Sequence, residues 1–343
     1  MTPFDRRTFL KLAGGAGLAG LPATLPAAWA ADASTLKKAQ SEGEAVFYAN
    51  ITAVQPIMKD FQQKTGVKGA YTRISSSKFI PTVLTESNAG KLLADVVQAP
   101  RPMIELLQQH DVLASYRSPS AKGYPGWATK NDKITLFGIE YVSYLYNTDH
   151  VKKSDAPAKY EDLADPKWKN KIVMANPATH ASTIAWLLAL KEQAFKSDND
   201  WMQFLKGVAA NQPMFVASFG PTPAPVESGE KLIGISMPKY IVTKSPAPLD
   251  WAPRSGPLFG TARAIAVTEH SPHPDAARVF MDYWLSKPAM ELLAKNVGEY
   301  VLAPGVFPAI DGIDKVEVKP VRDLSDQDFK KWGREFGRIF SAR

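Results

Sequence analysis

The chain has 343 residues, a formal net charge of +7 at pH 7 and no cysteine. This length predicts two domains of roughly 100–200 residues each. The lack of cysteine excludes disulfides, thiolate metal sites and cysteine nucleophiles. The positive charge is modest and scattered, and no stripe of alternating aromatic and basic residues is present, so we expect no nucleic-acid partner. The charge fits either an anionic ligand or simple solubility.

The first thirty residues predict an export signal. Arg6 and Arg7 precede a Gly/Ala-rich apolar stretch, Leu12–Leu25, and Ala28-Trp29-Ala30 forms a small-x-small cleavage pattern. A twin arginine before a weakly apolar segment resembles a Tat signal. A membrane anchor is the alternative, but the run is too short and too glycine-rich to span about 30 Å of hydrocarbon. We therefore predict a cleaved signal at residues 1–30, the Tat translocase as an export partner and a periplasmic protein.

The next part of the chain alternates short apolar runs with longer amphipathic segments. The predicted strands are Ala45–Ala49, Val67–Ile74 and Asp95–Gln98, and the predicted helices are Val54–Lys64, Phe79–Asn88 and Met103–Gln109. Gly66 stands where a glycine commonly ends a helix. This βαβαβα order predicts a parallel sheet with helices on both faces.

Two β-rich stretches without a helix behind them, Leu136–Tyr146 and Leu249–Gly260, predict crossings between two sheets. Around them the alternation resumes. The further strands predicted are Lys171–Met174, Met214–Ala217, Leu232–Ser236 and Ala262–Val267, and the further helices are Ser182–Ala194, Ser197–Ala209, one from His273, one from about Lys287 and Ser325–Phe340. In the last helix four aromatic residues share one side, which favours core packing over a membrane or partner contact.

Two α/β lobes joined by two crossings are typical of a hinged binding protein. Lobe one would comprise residues 34–138 and 260–306, and lobe two residues 139–259 and 307–343. A ligand would lie in the cleft between the lobes, where loops follow the carboxyl ends of the strands.

Three segments resemble known proteins. "VFYANI…MKDFQQKTGV" is similar to the first strand and helix of extracellular solute-binding proteins, "YEDLADPKWKNKIVMANP" to a lobe-two segment of their ferric-ion-binding branch, and "AIAVTEHSPHPDAARVFMDYWLSKPAMELLAK" to the returning segment of that branch. The resemblance implies a type II periplasmic binding fold, with each lobe a mostly parallel sheet flanked by helices and with a two-strand hinge. It also implies an ABC permease and ATPase as partners, and we expect no cofactor. We expect a monomer.

The sequence departs from the iron-binding pattern. That branch carries adjacent tyrosines in lobe two, a His after the first strand and an acid after the third. Here the matching segment, "ISMPKYIV", contains only Tyr240, and neither Thr52 nor Arg101 has such a neighbour. A ferric ion requires several anionic oxygen ligands. A carboxylate, phosphate or phosphonate solute is therefore the preferred ligand, with ferric iron or a ferric chelate as the alternative.

The candidate ligand-binding residues lie in loops expected at the cleft and are rich in hydrogen-bond donors. They are Thr52, Ser76, Ser77, Arg101, Thr179, His180, Ser182, Thr183, Ser218, Tyr240 and Arg263. A helix N-terminus and a guanidinium group both suit anions. The same Ser and Thr residues also fit helix caps. Arg263 is assigned equally to the cleft or to a carboxylate, and Tyr240, Trp251 and Phe219 are candidates for an aromatic wall.

An exported enzyme is the competing class. The five histidines are scattered, and only His270 and His273 are close together, at a helix start where a cap explains them better than a metal does. The chain has no G-x-S-x-G, no G-x-x-x-x-G-K-[ST] and no H-E-x-x-H motif. We therefore expect a binding protein and not an enzyme.

Overall fold

The computed structural model describes residues 32–129, 131–252 and 256–341, without the side chains of Ser77 and Asp326. The predicted signal at residues 1–30 thus lies outside the described residues. Among those described, no helix is both long and apolar enough to cross a membrane.

The described strands carry the apolar runs of the sequence. They are β1 Glu44–Ala49, β2 Lys68–Arg73, β3 Val96–Pro100, β4 Thr135–Asn147, β5 Ile172–Ala175, β6 Met214–Val216, β7 Ile233–Ser236, β8 Leu249–Trp251, β9 Leu258–Val267, β10 Tyr300–Val301 and β11 Val318–Pro320. The predicted strands are confirmed to within a few residues, whereas β10 and β11 lie in a region for which no strand was predicted.

The helices follow the amphipathic segments. They are α1 Ala33–Glu42, α2 Gln55–Thr65, α3 Ser76–Asn88, α4 Arg101–Gln109, α5 Ala181–Gln193, α6 Asp198–Ala210, α7 Pro223–Glu227, α8 Lys239–Thr243, α9 Pro274–Trp284, α10 Lys287–Val297 and α11 Asp326–Ser341. Short 3-10 helices lie at Pro119–Ala121, Gly126–Thr129, Glu161–Ala164, Pro166–Trp168 and Ile313–Lys315.

The predicted helix ends are confirmed where a cap is encoded locally. Gly66 ends α2 in the left-handed conformation, with φ of 73°. The Ser197 hydroxyl accepts a hydrogen bond from the Asp200 amide at the start of α6. Pro274 occupies the first turn of α9, where a missing N–H costs no helical hydrogen bond.

Eight of the described strands form one hydrogen-bonded path in the order β2-β1-β3-β9-β4-β7-β5-β6, while β8 and β10 pair with β4 and β11 pairs with β9. Parallel pairs join β1 to β2 and β3, and β5 to β6 and β7. Every antiparallel pair among the described strands involves β4 or β9. The sheet is therefore parallel among β1, β2 and β3 and among β5, β6 and β7, as predicted, and antiparallel where the long strands β4 and β9 cross, although β9 is parallel to β11.

Two main hydrophobic cores lie on either side of the crossing strands. The first packs aromatic side chains of β1, α2 and α9 together, including Phe47, Phe61 and Trp284. The second centres on α5, α6 and α11, and contains Trp186, Trp201 and Phe336. Phe329, Trp332 and Phe340 of α11 pack against this second core, which confirms the predicted packing role of the aromatic side of α11.

The crossing strands pass from one core to the other. β4 pairs with β9 through Thr135–Val142 and then with β7 through Ser143–Tyr146. The first predicted crossing is confirmed. The second begins later than predicted, because β9 itself crosses from Leu258, and Trp251 is fully buried with its indole N–H donating to the Asp311 carbonyl. Trp251 is thus a core residue and not part of an aromatic wall.

Candidate functional site

A cleft of about 610 Å³ opens where the ends of the strands from both cores face each other. The first core contributes Asn50, Ile51, Thr52, Arg73, Ser76, Pro100, Pro102 and Met103, and the second contributes His180, Ala181, Ser182, Ala185, Ser218, Phe219, Gly220, Met237, Lys239 and Tyr240. Glu140, Thr261 and Arg263 of the crossing strands and the tail segment 321–324 complete the lining.

The parallel strands β1 and β2 place polar side chains at one edge of the cleft. Arg73 pairs in register with Ala49, so both strands end at the same level. Asn50 follows β1, and its side-chain amide donates to the Ser76 hydroxyl at 3.0 Å. Ser76 opens α3, a helix of 13 residues.

A buried network of charges lies where the crossing strands meet the cleft. The Arg263 side chain is 4% exposed, and its guanidinium donates to Glu299 and, at 2.9 Å, to Glu140. The Lys239 ammonium lies 3.2 Å from the same Glu140 carboxylate. Burial alone would raise the pKa of Glu140, but Arg263 and Lys239 stabilise its charged form and bring the pKa to about 2. Glu140 is thus ionised at neutral pH, and the charged side chains of the network are paired with one another.

Tyr240 and His180 supply neutral polar groups to the cleft. Burial, reinforced by Glu140 and Glu299, raises the pKa of the Tyr240 phenol well above its ordinary value. Burial likewise lowers the pKa of His180. The His180 Nδ1 lies 2.8 Å from the Thr183 hydroxyl, and its ring meets Phe219 edge to face at 4.7 Å. At neutral pH the cleft therefore presents an uncharged phenol and an uncharged imidazole.

Two arginines at the rim are already engaged. Arg101, the first residue of α4, pairs with Asp323 and lies 2.9 Å from the Glu105 carboxylate. Arg322 bonds Glu192 at 2.9 Å and Asp328 at 2.8 Å. The Arg101–Asp323 pair joins α4 of the first core to the tail that leads into α11.

The geometry is that of a hinged cleft with donors on both sides, and the sequence profile described as "bacterial extracellular solute-binding protein" matches residues 56–319. The chain belongs to this family. An uncharacterised protein of Haemophilus influenzae is 25% identical to this solute-binding protein over 282 residues, which cover 75% of this chain and 77% of that protein.

Two further relatives have more specific names. A Salmonella typhimurium protein named for periplasmic 2-aminoethylphosphonate binding is 27% identical over 170 residues, 50% of this chain and 48% of that one. Iron uptake protein A1 of Synechocystis is 27% identical over 180 residues, 47% of this chain and 48% of that one. This solute-binding protein thus matches about half the length of each.

Solved structures share the whole fold. The substrate-binding protein of an ABC transporter from Agrobacterium tumefaciens superposes with a TM-score of 0.71 at 14% identity, over 87% of this chain and 94% of that one. Iron-bound HitA of Pseudomonas aeruginosa gives 0.65 at 19%, over 87% and 98%. AfuA of Actinobacillus pleuropneumoniae with fructose 6-phosphate gives 0.63 at 21%, over 87% and 96%. The predicted type II periplasmic binding fold is confirmed.

The cleft of this solute-binding protein brings together most of the residues singled out from the sequence. Those that line it are Thr52, Ser76, His180, Ser182, Ser218, Tyr240 and Arg263, together with Phe219 of the expected aromatic wall. Arg263 satisfies both expectations, since it lines the cleft and bonds two carboxylates.

Three predicted residues are not among those that line this cleft. Arg101 is turned toward Asp323, Thr183 is fully buried beneath His180, and Thr179 lies exposed in the turn before α5. The side chain of Ser77 lies outside the described part of the structure.

Sequence reasoning missed several charged lining residues, among them Arg73, Glu140, Lys239 and Asp323. A signal existed for two of them. Arg73 lies next to the end of the predicted strand Val67–Ile74, and Glu140 is the single charge in the apolar crossing strand β4. Within the described residues, no group of three or more His, Asp or Glu side chains is arranged to hold a metal.

Proposed function

We propose that this periplasmic solute-binding protein captures a small anionic solute, a carboxylate, phosphate or phosphonate, in its cleft and delivers it to an ABC permease without chemical change. The observation that carries the proposal is the composition of the cleft, whose lining combines Arg73 with the hydroxyl donors of Thr52, Ser76, Ser182 and Ser218. Guanidinium and hydroxyl groups suit oxyanions. The Salmonella relative named for 2-aminoethylphosphonate binding supports the same class.

A thermal-shift screen of the purified protein tests this proposal. The solutes are 2-aminoethylphosphonate, fructose 6-phosphate, inorganic phosphate, citrate and the polyamine putrescine. A solute present at 100 times its Kd should stabilise the folded protein by about 2.7 kcal/mol. We expect stabilisation by at least one anion and none by putrescine. Stabilisation by putrescine alone would contradict the anionic assignment.

A ferric chelate is the second candidate, favoured by Tyr240 in the cleft and by the relative named an iron uptake protein. The raised pKa of Tyr240 opposes the tyrosinate that a bare ferric ion would require. The protein titrated with ferric citrate should therefore show no tyrosinate–iron colour in its visible absorption spectrum. A red protein that is bleached by Tyr240→Phe would contradict this expectation and establish direct iron binding.

We also propose a revised division into lobes. The predicted lobe two included residues 307–343, but Ile310, Ile313 and Val316 pack in the first core, whereas Val321 belongs to the second. The division of the tail therefore falls between Val318 and Val321. Export through the Tat translocase, with cleavage of residues 1–30, remains part of the proposal. Replacement of Arg6 and Arg7 by lysine should abolish accumulation in the periplasm.

A further inference from the structure

We infer that Arg73 is the cation that binds the anionic group of the solute, with the Ser76 hydroxyl as its neighbouring donor. The inference rests on the proposed function and names the recognition element within the same cleft. Its basis is that four cationic side chains line the cleft, Arg73, Lys239, Arg263 and Arg322, and that three of them are already bound to carboxylates.

The buried Arg263 and the half-buried Lys239 are neutralised within their own network. Arg263 and Lys239 face Glu140 and Glu299, two positive charges against two negative ones. Displacing either carboxylate in favour of a solute would leave a buried charge without a partner, which is energetically costly. These two cations therefore shape the base of the cleft and are poor candidates for binding the solute's charge.

Arg322 of the lining and Arg101 behind it are occupied as well. Arg322 is shared between Glu192 and Asp328, and Arg101, behind the lining, is held by Asp323 and Glu105. His180 adds no positive charge, because its burial favours the neutral imidazole. Among the described residues, Arg73 is the cleft cation for which no carboxylate lies within ion-pair distance.

The surroundings of Arg73 suit a ligand oxyanion. Arg73 is exposed at the end of β2, so an entering solute can reach it. The Ser76 hydroxyl oxygen accepts from Asn50, which leaves the hydroxyl hydrogen available as a donor. Asn50 in turn lies 3.4 Å from the Arg263 guanidinium through its side-chain oxygen. The buried network thus orients Asn50, and Asn50 orients Ser76, which lines the same cleft as Arg73.

The chemistry defines the class of solute. A guanidinium presents two parallel N–H donors that match two oxygens of one carboxylate, phosphate or phosphonate. An ammonium at the same place would act only as a point charge. The rest of the solute would face the neutral donors Tyr240, Ser182 and Ser218 on the other side of the cleft. A solute that carries only positive charge would be repelled by Arg73.

Calorimetric titration of purified variants tests this assignment. Arg73→Ala and Arg73→Lys are compared with wild type, using the tightest-binding of 2-aminoethylphosphonate, fructose 6-phosphate, phosphate and citrate. Lys59→Ala is the control, because Lys59 is an exposed cation on α2 away from the cleft lining and its loss changes the net charge equally. We expect Arg73→Ala to raise the Kd about tenfold to a hundredfold, with Arg73→Lys in between and Lys59→Ala near wild type.

The possible failures are distinguishable. If wild type binds one of the anions and Arg73→Ala binds it equally well, this inference is wrong while the proposed function stands. If wild type binds none of the four anions, the anionic class fails, and the inference fails with it. A lowered melting temperature of Arg73→Ala without solute would signal a folding defect. In that case the Kd of Arg73→Lys tests the inference, because this variant keeps the positive charge and the aliphatic stem. A Kd equal to that of wild type would overturn the bidentate role of Arg73.

Discussion

The buried charge network predicts a large, pH-dependent loss of stability when its central arginine is removed. Arg263→Met keeps much of the aliphatic volume but leaves Glu140 and Glu299 with Lys239 as their cation. The Arg263 and Glu299 side chains are 4% and 1% exposed, so water cannot solvate the carboxylate charge that the substitution leaves without its arginine. Removing one partner of a buried ion pair typically costs about 3–5 kcal/mol. The lowered pKa of Glu140, from an ordinary 4.5 to about 2, corresponds to about 3 kcal/mol of stabilisation at neutral pH.

The sign of the pH dependence follows from the same groups. In wild type the pKa of Glu140 is lowered on folding, so its contribution is present above about pH 4.5 and is lost as the pH falls toward 2. In Arg263→Met, Glu140 loses the cation that contributes most to lowering its pKa, so it binds a proton more readily when folded. The stability difference between wild type and variant should therefore be largest at pH 7 and shrink by pH 4.

Urea denaturation followed by tryptophan fluorescence measures this difference. Arg278→Met is the matched control, since Arg278 is 52% exposed and pairs with the half-buried Asp275; it should lose less than about 1 kcal/mol. The double variant Arg263→Met/Glu299→Gln should recover part of the loss, because one unpaired charge is removed. A loss below about 1 kcal/mol for Arg263→Met at pH 7, or a loss that does not change with pH, would refute the reasoning.

Three other substitutions have defined outcomes. Arg101→Ala should change the solute Kd by less than about threefold, because Arg101 lies outside the lining and is already bound to Asp323 and Glu105; a Kd raised tenfold or more in a calorimetric titration would place Arg101 in the site. Gly260→Ala should lower the free energy of unfolding, measured in urea, by about 1–3 kcal/mol or more, because a Cβ at this position would overlap the backbone of β4. An unchanged urea midpoint would contradict this expectation. Phe336→Ala should cost about 3–5 kcal/mol in the same assay, since it is fully buried against Trp201, and a smaller loss would show that α11 packs loosely.

Much of the fold could be predicted because its signals are local. The apolar period of each strand and helix, the glycine after α2 and the Ser197 cap all lie within a few residues of the element they define. The crossing strand β4 could be predicted because it is a long apolar run that no helix follows. The helix α1, by contrast, is short and has one buried residue, Ala39, so its sequence carries little periodicity.

The site was less predictable because its chemistry depends on distant partners. Arg101 reads as an anion-binding arginine until Asp323, 222 residues away, is placed beside it. Arg73 gains its importance only when the other cleft cations are found to be paired. Donor types can be read from the sequence, but which donors are already satisfied follows from tertiary contacts alone.

The central claim is tested most directly by calorimetric titration of the wild-type protein with 2-aminoethylphosphonate, fructose 6-phosphate, phosphate, citrate and putrescine, followed by mass spectrometry of the recovered solute. The account predicts one-to-one binding of at least one anion, recovered unchanged, and no binding of putrescine. Chemical conversion of the bound solute, or tight binding of putrescine with no anion bound, would contradict it.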